Sequence, residues 1–492
     1  MTYGDNSDTL AAAIVPILGR EVEKPVLDCD GEVLSRGHFL ERVRDRASQL
    51  RGAEFGREAR IIVVSGRGSA FWIDMVAVWM IGGVAIPCDP RAPFRWSRAL
   101  VDKARPQAVL GGEKARENVF DGLRAINAPP PRGDGGPTGI TEVPSDATAA
   151  LLFTSGSTGE PKGVVLSHRS LFGNCRAILA ELPFVPEDRL LVAVPFHFTS
   201  AICHFLAAVL TGACLVTSER NLLPGDLKKV IQETGATCFG GSPLQLRWIG
   251  ELAAQEAIPL RWVMSSGDHL QKRDIEALRQ HVPDAGIFTV YGLTEVGARF
   301  CVLPASLVDQ FTGSVGRPIS GMSVSVLDDS GLPAAIGEIG HVFASGDYLF
   351  DCYFGEEEAT AKVLGPKGFA TGDMGYLSSD GLLYLAGRSD EVFKVAGVKC
   401  STLEVSDALA QLGLFDDIIV LPVDDPFVDQ VPKAYYVLKK GKIFNKGEVL
   451  RHLRTVLANS KIPREFQAVP SIPRTGSGKV NRKEFKAMVA SL

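Results

Sequence analysis

Residues 154–163 read TSGSTGEPKG, with three glycines, four hydroxyl side chains and one lysine between the apolar runs LLF and VVL. A strand that ends in such a loop leaves backbone N–H groups free, and glycine lets the backbone close around a polyanion. The hydroxyls add donors and Lys162 adds a point charge. This is chemistry for gripping a triphosphate. It is not a Walker A loop, whose lysine is followed by Ser or Thr, because Lys162 follows Pro161 and precedes Gly163. Nor is it a Gly/Ser linker, which would not sit between two strand-like runs or carry Pro-Lys-Gly.

Four more segments carry reactive side chains. Residues 290–297 read VYGLTEVG: an aromatic ring for stacking, a hydroxyl for a phosphate and a carboxylate for Mg2+. Thr371-Gly372-Asp373 is an acidic turn that could hold two sugar hydroxyls. Gly387-Arg388-Ser389-Asp390, followed by Lys394, Gly397 and Glu404, supplies a guanidinium near a domain boundary. Residues 473–479 read PRTGSGK, a second glycine-rich lysine loop that also fails the Walker A pattern, because Val480 follows Lys479. Each is weak alone, since Tyr-Gly and Gly-Asp turns are common; their order along one chain is the specific signal.

These residues need a scaffold. At 492 residues the chain is long enough for two or more domains with ample cores. Hydrophobic residues at 46% and charged residues at 22% suit a globular protein, and a net charge of −5 without a long basic run argues against a nucleic-acid partner. The nine cysteines are scattered with no C-x-x-C pair, which speaks against zinc and for reduced thiols in the cytoplasm. The first ten residues, MTYGDNSDTL, are polar and acidic rather than a signal peptide. The apolar stretch 71–87 contains Asp74 and glycines and is too short to span a bilayer, so no membrane partner is expected.

Short β-like runs at 60–65, 151–154, 190–195, 213–217, 237–240 and 262–265 alternate with helical periodicity at 39–50, 69–81, 169–181, 227–233 and 270–281. This predicts an α/β fold, with mixed sheets covered by helices. The Pro/Gly-rich stretch 128–144 reads as an exposed loop separating an N-terminal α/β block from the phosphate-loop block. From about residue 313 recurrent glycines predict the hairpins of a β-rich subdomain. A small mobile α+β domain of roughly a hundred residues closes the chain, with strands at 417–422 and 433–438 and helices at 403–412 and 446–457. The expected domains are 1–388 and 389–492.

Taken together, from Gly82-Gly83-Val84-Ala85-Ile86-Pro87-Cys88-Asp89-Pro90 to Lys479, the chain resembles the adenylate-forming superfamily of acyl- and aryl-CoA synthetases, luciferases and peptide-synthetase adenylation domains. The resemblance implies that a carboxylic acid is joined to ATP with Mg2+ present, and that a second nucleophile then displaces AMP. It implies that Thr154, Ser155, Gly156, Ser157, Thr158, Gly159 and Lys162 hold the β- and γ-phosphates. Tyr291 would lie against adenine, Thr294 would touch the α-phosphate and Glu295 would bind Mg2+. Asp373 would accept from the ribose hydroxyls, and Arg388 would contact ribose and phosphate. Lys479 would bridge the acyl carboxylate and the α-phosphate. Asp390 would be the hinge about which the small domain rotates, presenting Lys394 to Gly397 for the second half-reaction.

Phe196-His197-Phe198-Thr199-Ser200 follows a strand where the family's acid-binding wall begins. Amino-acid-activating relatives place an aspartate there; here Phe198 stands nearest, and an ammonium buried against it would be unpaired. The acid is therefore expected to lack an α-amino group. His197 resembles the gating histidine of the CoA synthetases, and Gly241, Ser266, Gly267 and Gly292 are further wall residues whose small size favours an aryl or medium-sized acid. Thr289 departs from the Asn or Gln that members set against adenine, and Thr402 replaces a proline after the hinge. The acceptor stays open between CoA, a carrier-protein phosphopantetheine and an amine, with CoA leading.

Overall fold

The computed structural model describes residues 9–64, 66, 68–111, 120, 122–126, 139–155, 161–220, 222–389, 391–395, 398–425, 429–474 and 480–490. The phosphate-loop hairpin belongs to a 6-stranded sheet, ordered Arg124–Ile126, Ala108–Leu110, Arg60–Val64, Val84–Cys88, Thr148–Ser155, Pro161–Ser167. The first five strands run parallel, and the last pairs antiparallel with its neighbour. This corrects the expectation that 128–144 divides two blocks. Ala150 pairs with Ala85, so the hairpin extends the N-terminal block's own sheet. Residues 139–144 are tied down as well, with Thr141 N–H donating to the Met80 carbonyl at 2.8 Å; 128–138 lie outside the described residues. The strand Val84–Cys88 is buried at every position, so it shows no alternation to read.

A 14-stranded sheet forms the second layer. Its parallel part runs from Pro25–Cys29 through Cys214–Thr217, Arg189–Val192, Cys238–Gly241 and Trp262–Ser266 to Gly286–Tyr291. There it turns antiparallel, through Cys301–Leu303, Ser314–Pro318, Leu383–Arg388, Gly368–Leu377, Gly340–Gly346 and Met322–Leu327. The predicted hairpins after residue 313 exist, and they continue this sheet instead of forming one of their own. The change of direction falls at Tyr291 and Cys301, beside the candidate site.

Helices fill the space between the sheets. Thr199–Thr211 is buried along almost its whole length and so shows no polar face. Phe205 on that helix stacks on Trp72 of Ser69–Met80 at 4.5 Å and 8°. Truncating such a fully buried Trp to Ala costs ~3–5 kcal/mol.

The C-terminal unit has its own 5-stranded sheet, Val398–Ser401, Val392–Val395, Asp429–Leu438, Phe415–Asp425 and Glu465–Ala468. The helices Thr402–Ala410, Lys446–Val456 and Arg482–Ala490 cover it over separate apolar cores. Its ties to the large unit are polar. His269 Nε2 lies 3.0 Å from Asp407 Oδ2, and Arg273 donates to the Phe415 carbonyl at 3.1 Å. Lys394 and Lys399 pair with Asp329 at 3.1 and 3.2 Å. Among the described residues no helix is long and apolar enough to cross a membrane.

Candidate active site

The strand pairing sets Thr154 beside Lys162 across the hairpin. Gly156, Ser157, Thr158 and Gly159, and the side chain of Ser155, lie outside the described residues. The Lys162 ammonium sits over the ring of Tyr353, 5.1 Å from its centroid. The Tyr353 hydroxyl donates to Glu295 Oε1 at 2.9 Å. Burial first, then the nearby Glu295 carboxylate, push this phenol far above its usual range, so it stays a donor. The backbone holds the trio together. Phe350 N–H donates to the Glu295 carbonyl at 2.8 Å and Phe354 N–H to the Gly163 carbonyl at 2.7 Å. One short segment thereby stitches the phosphate-loop hairpin to the Thr294–Glu295 turn.

Beyond that turn lies a cavity of about 380 Å3. Tyr291, Gly292, Gly267, Asp373 and Arg388 of the large unit line it, and Val480 and Arg482 of the C-terminal unit form its opposite wall. Asp373 is the hub. The Tyr291 hydroxyl donates to its Oδ2, and Arg388 donates to Oδ1 at 3.0 Å and to the Thr371 carbonyl at 3.0 Å. Burial and the Asp373 carboxylate hold the Tyr291 phenol well above its ordinary range. Gly372, at φ +76, is needed here, because a Cβ would lie 2.7 Å from the Arg388 guanidinium. Gly292 is equally constrained, since a Cβ there would reach 1.7 Å from the Ala298 carbonyl oxygen. Thr294 Oγ1 accepts from Thr199 Oγ1 at 3.2 Å, which ties the turn to the start of the buried helix.

The sequence-predicted residues divide accordingly. Tyr291, Gly292, Gly267, Asp373 and Arg388 share the cavity. Thr294, Glu295, Lys162 and Thr154 belong to the adjoining turn and hairpin. Gly241, Ser266, His197 and Phe198 are not in the cavity lining. Gly241 is closed off by Phe239, whose ring a Cβ would meet at 2.5 Å. His197 packs on Phe198, ring centroids 4.5 Å apart, with Nε2 4.0 Å from Asp89 Oδ2. Burial outweighs the pull of Asp89 and lowers its pKa, leaving the ring neutral. Phe198 is 38% exposed. Lys394 pairs with Asp329 outside the cavity. Asp390, Gly397 and Lys479 lie outside the described residues.

Sequence reasoning passed over Tyr353 and Thr199. Tyr353 sits in no local motif, and Thr199 reads only as part of the acid-wall segment; the pairing of residue 353 with Val164 on the hairpin, and of Thr199 with Thr294, brings them in. Among the described residues no three His, Cys, Asp or Glu side chains gather as a metal cluster. Each of the nine cysteines is free of a disulfide.

The pattern of the AMP-binding enzyme family matches residues 18–354, and that of the AMP-binding enzyme C-terminal domain matches residues 404–479. A feruloyl-CoA synthase from an Amycolatopsis species is 28% identical over 465 residues, 93% of this chain and 94% of that protein. A 4-coumarate–CoA ligase-like protein from Oryza sativa subsp. japonica is 31% identical over 358 residues, 71% of this chain; the match spans 64% of that relative's length. The fold is that of the anthranilate CoA ligase AuaEII, solved with anthranoyl-AMP, at a TM-score of 0.88 and 20% identity over 98% of both chains.

Proposed function

This chain belongs to the AMP-binding enzyme family, and we propose that it activates a carboxylic acid with ATP as an acyl-AMP, releasing pyrophosphate, and then passes the acyl group to the thiol of CoA. The supporting observation is the convergence of Tyr291, Asp373 and Arg388 on one cavity whose far wall, Val480 and Arg482, begins just after Lys479. A cleft shared by two units suits a reaction that must exclude water and then change acceptor. The reading takes 1–388 as the large unit, 389–492 as the lid and Asp390 as the hinge.

In this reading Tyr291 lies against adenine, the Asp373 carboxylate accepts from the ribose hydroxyls and Arg388 touches ribose and phosphate. Thr154 to Gly159 and Lys162 grip the β- and γ-phosphates, and Thr294 the α-phosphate. The substrate carboxylate attacks the α-phosphorus, an O–P bond forms, and pyrophosphate leaves. Two anions must meet, so cations offset their repulsion; Lys479 bridges them. Glu295 fits a hard divalent cation, since Tyr353 occupies one oxygen and the other has no hydrogen-bond partner among the described residues. A Mg2+ held there would neutralise phosphate charge. In the second step the CoA sulfur attacks the acyl carbonyl and AMP departs, with Lys394 and Gly397 brought to the site. His197 and Phe198 guard the acid's approach, and Phe198 disfavours an α-ammonium. Nine cysteines without a disulfide suit a reducing cytoplasm.

The test is ATP–pyrophosphate exchange over aryl, alkyl and amino acids, followed by AMP release with CoA, a holo carrier protein or amines as acceptor. Exchange that requires an acid, and AMP release that requires CoA, is the expected result. Acid-independent ATP turnover would defeat the first step, and release driven only by a carrier protein or an amine would replace the acceptor.

A further inference from the structure

Arg299 is 2% exposed, and no carboxylate among the described residues contributes to its electrostatic surroundings. Its guanidinium contacts His204 Nε2 at 3.2 Å and the thiol of Cys203. Arginine keeps its proton in proteins, so the charge is fixed and its five donors far exceed these partners. His204, itself 2% exposed, does not share that charge: burial and then Arg299 hold its pKa well below the ordinary range. The ring is neutral and accepts through Nε2. A buried, permanently charged side chain with no carboxylate beside it is a poor way to build a core, which apolar residues of like volume fill at lower cost.

The position of this group points to a ligand. Arg299 lies on the connection that carries Thr294 and Glu295, and its backbone is pressed against the cavity-lining Gly292, where a Cβ would come within 3.1 Å of the Arg299 Cα. Cys203 and His204 follow Thr199 by one turn on the helix that Thr199 ties to Thr294. The His204 ring fits only because residue 240, at the end of the parallel strand Cys238–Gly241, is glycine; a Cβ would lie 2.4 Å from Nε2. The C-terminal ends of parallel strands are where open α/β sheets take their ligands.

We propose that Arg299, oriented by neutral His204, is a specificity-determining residue that receives a second carboxylate of the substrate, at the end remote from the carboxyl group that is activated. The preferred substrate is then a dicarboxylic acid, aliphatic or aromatic. The proposal rests on the adenylating reading above and narrows its substrate class. A guanidinium presents a planar fork that matches a carboxylate, and a monocarboxylic acid of the same length would leave that fork empty.

The experiment is ATP–pyrophosphate exchange with pairs of equal carbon number: pentanoate against glutarate, hexanoate against adipate, 4-methylbenzoate against terephthalate. In the wild type at least one diacid has the higher kcat/KM of its pair. Arg299→Leu lowers the diacid-to-monoacid ratio by ~10², and Arg299→Lys recovers part of it. Binding gives a readout without turnover: the preferred diacid raises the melting temperature of the wild type but not of Arg299→Leu. Cys203→Ala keeps the wild-type ratio; if the ratio collapses there, the thiolate was the counter-ion and the proposal fails. It also fails if monoacids turn over and no diacid outranks its partner, or if Arg299→Leu leaves the ratio unchanged. Exchange with no acid at all would defeat the adenylating reading, and this proposal with it.

Discussion

Two arginines in this protein occupy opposite electrostatic situations. Arg388, at the cavity edge, has its carboxylate: Asp373 Oδ1 accepts from it at 3.0 Å while Tyr291 caps the other oxygen. Arg299, behind the wall that Gly292 lines, has a neutral imidazole and a thiol but no carboxylate. The Asp373 cluster is complete within the chain, and it can meet neutral hydroxyls by exchanging hydrogen bonds without a change in net charge. The Arg299 cluster is incomplete, and burial makes that incompleteness costly. Complete networks fix a shape; incomplete ones select a charge.

The harshest test of that contrast is Lys479→Ala. If a third cation, delivered by the lid, offsets the meeting of two anions, acyl-AMP formation falls on the order of 10² or more. Retention of most pyrophosphate release would mean that Arg388 and Lys162 suffice. Next is Asp373→Ala, which leaves Arg388 without its carboxylate and Tyr291 without its acceptor. Its exchange kcat/KM falls by ~10–10², chiefly through KM for ATP. An unchanged KM for ATP would separate this cavity from the nucleotide. Asp390→Pro should slow the second half-reaction, read as CoA-dependent AMP release, by ~10-fold or more while exchange is spared. Equal losses in both would defeat the rotating lid.

The two clusters also differed in how far the sequence disclosed them. Tyr291, Thr294 and Glu295 lie in one eight-residue run, and Asp373 and Arg388 stand in Gly-Asp and Gly-Arg pairs that read as turns but are strand residues, so local chemistry suggests each of them while misplacing the last two. Their convergence comes from strand pairing, with Asp373 opposite Arg388 across the antiparallel ladder. Nothing local marks Arg299, since an arginine after Gly297-Ala298 reads as an ordinary surface charge, and its partner His204 finds room only beside Gly240, on a helix buried along almost its whole length. The same burial hid the strand Val84–Cys88 and so hid the joining of the phosphate hairpin to the N-terminal sheet. Tyr353 was hidden because its partners, Lys162 and Glu295, come from two distant segments.

A smaller effect comes from the ties between the units. His269 is buried, which works against its charge, yet Asp407, with Asp268 and Asp274, more than offsets this and raises its pKa above the usual value. The contribution of the pair is therefore fully present below about pH 6.5 and is lost as the pH rises through the raised value. Limited proteolysis across residues 389–397 measures the opening. Asp407→Asn should be cut faster than the wild type near pH 6, and the two rates should converge at pH 9. A rate difference that persists at pH 9 would assign the effect to packing.

The smallest effect is expected at Asp329, where the pair with Lys394 is exposed and the pair with Lys399 half-exposed. Such pairs contribute little and are screened by salt. Their interest lies in what they hold. In this arrangement Lys394 is tied to the large unit outside the cavity, although the proposed second half-reaction calls the same segment into the site. Asp329→Ala should therefore raise the rate of CoA-dependent AMP release by about two- to fivefold at low ionic strength and leave pyrophosphate exchange close to wild type. The gain should vanish at ~1 M salt, where the Debye length is ~3 Å. A slower second step would mean that Asp329 orders the lid for transfer instead of restraining it.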